Sequence, residues 1–192
     1  MIHMLTTAGA GLLVRHWFEI DLEDASMEHG CRVELREVAR VDHRGSESAA
    51  QVVAADRPLW RADLFDRLSD EPGTFAAAHF HPYFEGNEPC DRVWDDRLTA
   101  DPWGWLREQV SRFGSGSASQ PASLGPEDAA GLRAMADEVV AVAQRFSPAR
   151  CASQSECYRL TRDARQSVRL MVEYLQDPSR LDKDAVSLWT EE

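Results

Sequence analysis

Lysine is almost missing from this chain: of its 21 lysine and arginine residues only Lys183 is a lysine. Schiff-base chemistry, a phosphate-loop lysine and a kinase-type lysine all need an ammonium group at an ordered position. Lys183 instead stands in a polar tail between Asp182 and Asp184, so those classes drop out. Cysteine is also sparse. Cys31, Cys90, Cys151 and Cys157 form neither a CxxC pair nor a zinc-finger spacing, and a disulfide framework or structural zinc site is not indicated. No apolar run approaches the roughly 20 residues that span a bilayer. The opening MIHMLTTAGAGLLVRHW lacks the basic region and long apolar core of a secretory signal, so a reduced cytoplasm is the expected setting. A GxSxG elbow is absent, which removes the commonest serine-hydrolase arrangement. With a net charge of -12 the chain has little from which to build an extended basic face, so neither nucleic acid nor an anionic membrane is expected as a partner.

What is present suits a folded protein. At 192 residues, 43% hydrophobic and 28% charged, the chain is long enough to bury a core and has the composition of a globular domain. In GLLVRHWFEID, residues 11 to 21, Leu12, Val14, His16, Phe18 and Ile20 alternate with Leu13, Arg15, Trp17 and Glu19, the period of a half-buried strand. CRVELREVARV repeats it, Cys31, Val33 and Leu35 opposing Arg32, Glu34 and Arg36, and the two runs suggest a hairpin. QVVAA (51–55), LWRADLF (59–65) and TFAAAHFH (74–81) read as further short strands. Residues 1–113 are therefore expected to form an antiparallel β meander or partial barrel of four or five strands with one helix, within an α+β fold. That helix is DPWGWLREQVSRF, with Asp101 as N-cap, Pro102 at the first helical position, and Trp103, Leu106, Val110 and Phe113 facing inward. The Gly/Ser-rich stretch 114–124 reads as a flexible linker. Residues 125–178 read as a helical hairpin, its second helix opened by the capping box Ser153 and Glu156, and 179–192 as a polar tail.

The chemistry concentrates in PGTFAAAHFHPYFEGNEP, residues 72 to 89. On a strand, His79 and His81 project from the same face with Cα atoms roughly 6.6 Å apart, a span that one divalent ion bridges through two imidazoles. A facial site adds a carboxylate and leaves positions open for substrate. Glu85 is the nearest carboxylate in sequence. Asp63 is the second, because a hairpin across SDEPG sets Arg61, Asp63 and Phe65 on the face of His79 and His81, provided the register does not slip by one residue. His16, between Val14 and Phe18 on an apolar face, needs a partner, either as a further ligand or as a satisfied core histidine. His3, His29 and His43 read as solvated. Trp94, Trp103 and Trp105 can wall a pocket beside the histidines, or belong to the helix core. The run Asp91, Asp95, Asp96 and Asp101 reads as a solvated acidic loop without calcium-loop spacing.

Gly73, five residues, His79, one residue, His81, three residues, Glu85 resembles the first conserved motif of the cupins. That resemblance implies His79, His81 and Glu85 as ligands of a metal that activates dioxygen, water or a small carbonyl substrate. The further histidine of the cupin set would have to be His16 or His43, since His81 is the last histidine of the chain. WRADLF, AHFHPYFEG and DRVWDDRLTADPWGWL also resemble segments of a family of high-GC bacterial proteins, which implies no activity.

Two functions follow. One is a small metal-dependent enzyme or metal-binding protein acting on a small-molecule substrate, with zinc or iron held by His79 and His81 and completed by Glu85, Asp63 or His16. The other is a non-catalytic interaction protein that forms homo-oligomers, or binds a partner, through its C-terminal helices. The histidine pair can also be two polar side chains at a strand end, or an acid/base pair without metal.

Overall fold

The computed structural model of the chain describes residues 2–20, 27–41, 52–67, 69–115 and 124–148, with 159, 162, 166, 169, 173, 176 and 177 as single positions beyond them. Five antiparallel strands follow one another in chain order: β1 (Ile2–Thr6), β2 (Ala10–Ile20), β3 (Met27–Val41), β4 (Val52–Arg67) and β5 (His79–His81). The sheet is open, so the fold is α+β with an antiparallel meander. A two-stranded ribbon, β6 (Phe84–Glu85) with β7 (Glu88–Pro89), follows directly after it.

The apolar alternation sets the core. Leu12 and Val14 of β2, Cys31, Val33 and Leu35 of β3, and Trp60, Ala62 and Leu64 of β4 are fully buried on one face. Four helices belong to the same compact unit: α1 (Asp96–Ala100), α2 (Pro102–Ser111), α3 (Pro126–Ala134) and α4 (Ala136–Phe146). Asp101 caps α2 by accepting from the Gly104 amide at 2.9 Å, with Pro102 in its first turn. Asp95 caps α1 in the same manner, accepting from the Arg97 amide. Asp101 caps as expected, and Asp95, expected to be merely solvated, likewise satisfies helix N–H groups that would otherwise lack acceptors. Trp60 stacks on Trp105 at 6.2 Å and meets the edge of Phe113 at 5.4 Å, which locks α2 onto β4. The Val139, Val142 and Phe146 stripe of α4 is buried, and α4 packs on β2, β3 and α2.

Several expectations are corrected. The N-terminal residues form β1, paired with β2 from Ile2 opposite Arg15 to Thr6 opposite Gly11. Of the runs 51–55 and 59–65, residues 52–55 and 59–65 lie on one strand, β4. Pro58 lies where the ladder with β3 shifts register around Arg36, the place where a residue without an N–H costs no ladder bond. Only His79–His81 of the stretch 74–81 is strand. The preceding turn is held by Asp66, whose carboxylate accepts from the amides of Gly73 (2.9 Å) and Phe75 (2.6 Å), and Phe75 takes a positive φ of 49°. The helix expected from residue 125 is broken at Met135 into α3 and α4. Residues 116–123 of the expected linker, most of the last helix and all of the tail 179–192 lie outside the described residues. Arg159, Arg162, Gln166, Arg169 and Gln176 are helical and exposed, the polar complement of the apolar stripe expected there. Among the described residues no helix is long and apolar enough to cross a membrane.

Gly30 matters for the approach of β3 to β4. It sits opposite Phe65 with a φ of 154°, and a side-chain carbon there would overlap the backbone carbonyl of Leu64. Overpacking of this kind costs about 1–3 kcal/mol. Gly30→Ala is therefore expected to lower the urea midpoint with an unchanged slope; an unaltered midpoint would show that the two strands can separate freely.

Candidate metal centre

The sheet face opposite the helices is polar, and its centre is buried. Across the ladders Arg15 lies opposite Arg32, Arg32 opposite Asp63, and Asp63 opposite His79. In the neighbouring row Glu34 faces Arg61 and Arg61 faces His81. Directly opposed side chains start about 5 Å apart, so the pleat alone assembles the group.

Asp63 is at its centre, with 0% of its surface exposed. Arg32 grips it with two nitrogens, Nε to Oδ1 at 2.6 Å and Nη2 to Oδ2 at 3.0 Å. Arg61 Nε lies 3.1 Å from Oδ2. Burial alone would raise this carboxyl, but the His79 ring and the Arg32 and Arg61 guanidinium groups outweigh it and bring the pKa to about 2. Arg32 is itself buried, holds Glu19 at 2.5 Å and lies over the Trp17 ring at 4.5 Å. A charged side chain is tolerated in such surroundings only when paired and hydrogen-bonded.

The two histidines are oriented by backbone carbonyls. His79 Nδ1 lies 2.8 Å from the Ala77 carbonyl and His81 Nδ1 lies 2.5 Å from the Cys90 carbonyl. A carbonyl oxygen only accepts, so each Nδ1 carries the proton and donates. When the rings are neutral, both Nε2 lone pairs therefore face inward. His79 Nε2 is 3.4 Å and His81 Nε2 is 3.9 Å from Asp63 Oδ2. A carbonyl that accepts from the far nitrogen is the usual support of a metal-ligating imidazole. The three residues each offer a ligand atom, all within 4.8 Å of one another, and all three are buried. A tetrahedral zinc with bonds of about 2.0–2.1 Å separates neighbouring donors by about 3.4 Å, close to the His79–Asp63 spacing. Such a group can hold a metal ion.

Arg61 shares the space. Its Nη2 donates to His81 Nε2 at 3.0 Å, and its guanidinium lies 5.7 Å from the Phe84 ring. Burial, aided by Arg61 and offset in part by the Cys90 carbonyl, lowers His81 to about 4. On the solvent side Trp94 lies against the His79 ring at 5.3 Å while 54% exposed.

The other candidates lie elsewhere. Glu85 is exposed on β6, opposite Glu88, outside the group of converging ligand atoms. His16 donates from Nδ1 to the carbonyl of Phe146 at 3.0 Å, at the end of α4 where helical carbonyls lack partners. His29, expected to be solvated, is buried on β3, and burial lowers its pKa. His43 is outside the described residues. Trp103 packs edge-on against Phe75 at 5.3 Å, and Trp105 is core with Nε1 donating to Asp95 at 2.9 Å. Cys31 and Cys90 are free thiols, the former pushed up by burial and by the charge of Asp63.

Arg32 and Arg61 are the residues that sequence reasoning gave no role in the site, one as an outward-facing position in an alternating strand and the other only as a residue on the histidine face. The signal lay in their pairing: charges of opposite sign recur at matching positions of two runs already read as a hairpin. Set against known protein families, curated proteins and solved structures, the chain matches none.

Two predictions concern the metal-free protein, held in chelator. Asp63→Asn leaves the buried Arg32 and half-buried Arg61 guanidinium groups facing a neutral amide, a break that costs about 3–5 kcal/mol. Chemical unfolding at neutral pH measures it, and a loss below about 1 kcal/mol would place the pair among exposed bridges instead. The second concerns acid. The unfolded chain protonates His81 near 6.5, the folded one only near 4, so between those values the unfolded state binds more protons and stability falls as pH drops. Asp63, at about 2 folded against 3.8, extends the loss below pH 3.8. His81→Gln is expected to flatten the slope of stability between pH 6.5 and 4, and a slope equal to that of the unaltered protein would contradict the assignment.

Proposed function

We propose that Asp63, His79 and His81 hold one divalent metal ion, zinc or iron, and that the chain is a metal-binding protein whose remaining coordination positions serve a small-molecule substrate. The observation that carries this reading is the direction of the two Nε2 lone pairs. With each Nδ1 proton committed to a carbonyl, a neutral His79 points a lone pair at a carboxylate oxygen 3.4 Å away. That contact is repulsive until a proton or a metal cation lies between them. Two imidazoles and one carboxylate with open positions are the donor set of non-haem iron centres, and three protein ligands plus water are that of catalytic zinc. In either case the ion would act as a Lewis acid or lower the pKa of bound water. The cytoplasmic setting expected from the sequence belongs to the same proposal, since a thiol such as half-buried Cys90 persists most readily where disulfides do not form.

The experiment is elemental analysis of protein purified without a histidine tag, followed by reconstitution with zinc or ferrous iron. About one equivalent of metal is expected, lost in the His79→Ala, His81→Ala double variant, with a rise in melting temperature on loading. Trp94 supplies a local readout: cobalt should quench a fraction of the tryptophan emission that Trp94→Phe removes. Protein that takes up no metal and shows no thermal response would leave the pair as a metal-free arrangement, His79 protonated and hydrogen-bonded to Asp63.

A further inference from the structure

Metal binding at this group would add charge to an ionic network. Among the described residues Asp63 is linked through Arg32 to Glu19, and Glu19 through Arg92 to Glu28, while Arg61 joins at Asp63 and faces Glu34, which Arg15 and Arg36 hold. Five guanidinium groups thus meet four carboxylates. A dication added to this set raises its excess of positive charge from one to three, at a place where Asp63, His79 and Arg32 are all nearly inaccessible to water. Unpaired charge in such surroundings is strongly disfavoured.

The same event strands Arg61. Its Nη2 now donates to His81 Nε2, and a metal ion would take that lone pair. Its Nε, buried and 3.1 Å from Asp63 Oδ2, lacks a well-directed hydrogen bond already. The guanidinium would then carry two donors in search of acceptors, beside an ion with open coordination positions. Planar guanidinium matches carboxylate and phosphate oxygens in two-point contacts.

We infer that the metal-loaded site takes a small oxyanion, a carboxylate or phosphate, with one oxygen on the metal and another on Arg61. This rests on the metal-binding reading above and narrows its substrate class. Such an anion reduces the excess of positive charge and replaces the acceptor that Arg61 surrenders. Arg61 is then the residue that selects anionic over neutral ligands, while Arg32, held on both oxygens of Asp63, keeps the metal-binding carboxylate in place.

The test uses the full-length protein loaded with cobalt, whose visible absorption reports its coordination. Acetate and inorganic phosphate are titrated separately at constant ionic strength, with chloride as the control; whichever binds more tightly identifies the source of the oxygens. A saturable spectral change with one of them is expected. It should weaken at least tenfold in Arg61→Met, while cobalt remains bound in equal amount. Arg61→Gln, which keeps hydrogen-bonding capacity without charge, should show the same loss, and circular dichroism checks that each variant is folded. Bound cobalt whose spectrum ignores both oxyanions overturns the inference and leaves the metal reading standing, as does equal anion affinity in the two variants and the unaltered protein. Wild-type protein that binds no cobalt overturns both.

Discussion

Across the middle of the sheet, two nitrogens of Arg32 close on two oxygens of Asp63, and the polar face is arranged around that grip. The pair is held between adjacent strands at directly opposed positions, so its geometry is as rigid as the ladder. Both partners are buried, which makes the interaction strong and its loss costly. It fixes the carboxylate in one rotamer with Oδ2 turned toward β5, where both imidazoles stand. Glu19, Arg61, His79 and His81 are direct partners of this pair, and Arg92 and the Ala77 and Cys90 carbonyls are one step removed.

The histidines reach that point by a different route. β5 contains only three residues, too few to define a site by pairing alone. Its entry is set by Asp66, which gathers the amides of Gly73 and Phe75 and forces the chain through a turn before Ala77 hydrogen-bonds to Phe65. Its exit is set by Cys90, whose carbonyl holds the His81 ring. Backbone groups thereby decide which imidazole nitrogen is available, a role that side chains could fill only with further polar groups to satisfy. The apolar half of the sheet, packed on α2 and α4, supplies the stability that lets the other half be polar.

Much of this was legible in the residues. Alternation placed β2 and β3, and the hairpin across SDEPG put Arg61 and Asp63 on the face of His79 and His81, because a period of two leaves only one face for each residue; the pairs Arg61 with His81 and Asp63 with His79 come from the ladder itself. Asp101 and Pro102 announced α2 through capping chemistry. Motif spacing favoured Glu85 as the carboxylate, whereas proximity in sequence is a poor guide once a chain turns back at Gly86 and Asn87. The extent of strand in 74–81 was not legible, because apolar composition cannot reveal that Asp66 captures the amides of the stretch. Nor was the burial of Arg32 and Glu34, at 3% and 4% exposure: polar residues on alternate positions of an antiparallel strand ordinarily face water. Runs 51–55 and 59–65 read as two strands, whereas Pro58 between them lies at a register shift within one.

The shortness of β5 has a further effect. An open sheet ends in a strand whose outward amides and carbonyls invite pairing by another chain, the route to edge-to-edge aggregation. Here the terminal strand exposes just one such pair, on Phe80, and Val93 occupies it from both sides with bonds of 3.0 and 2.9 Å. The segment that carries the two imidazoles is thus also the one that denies neighbouring molecules a template at this rim.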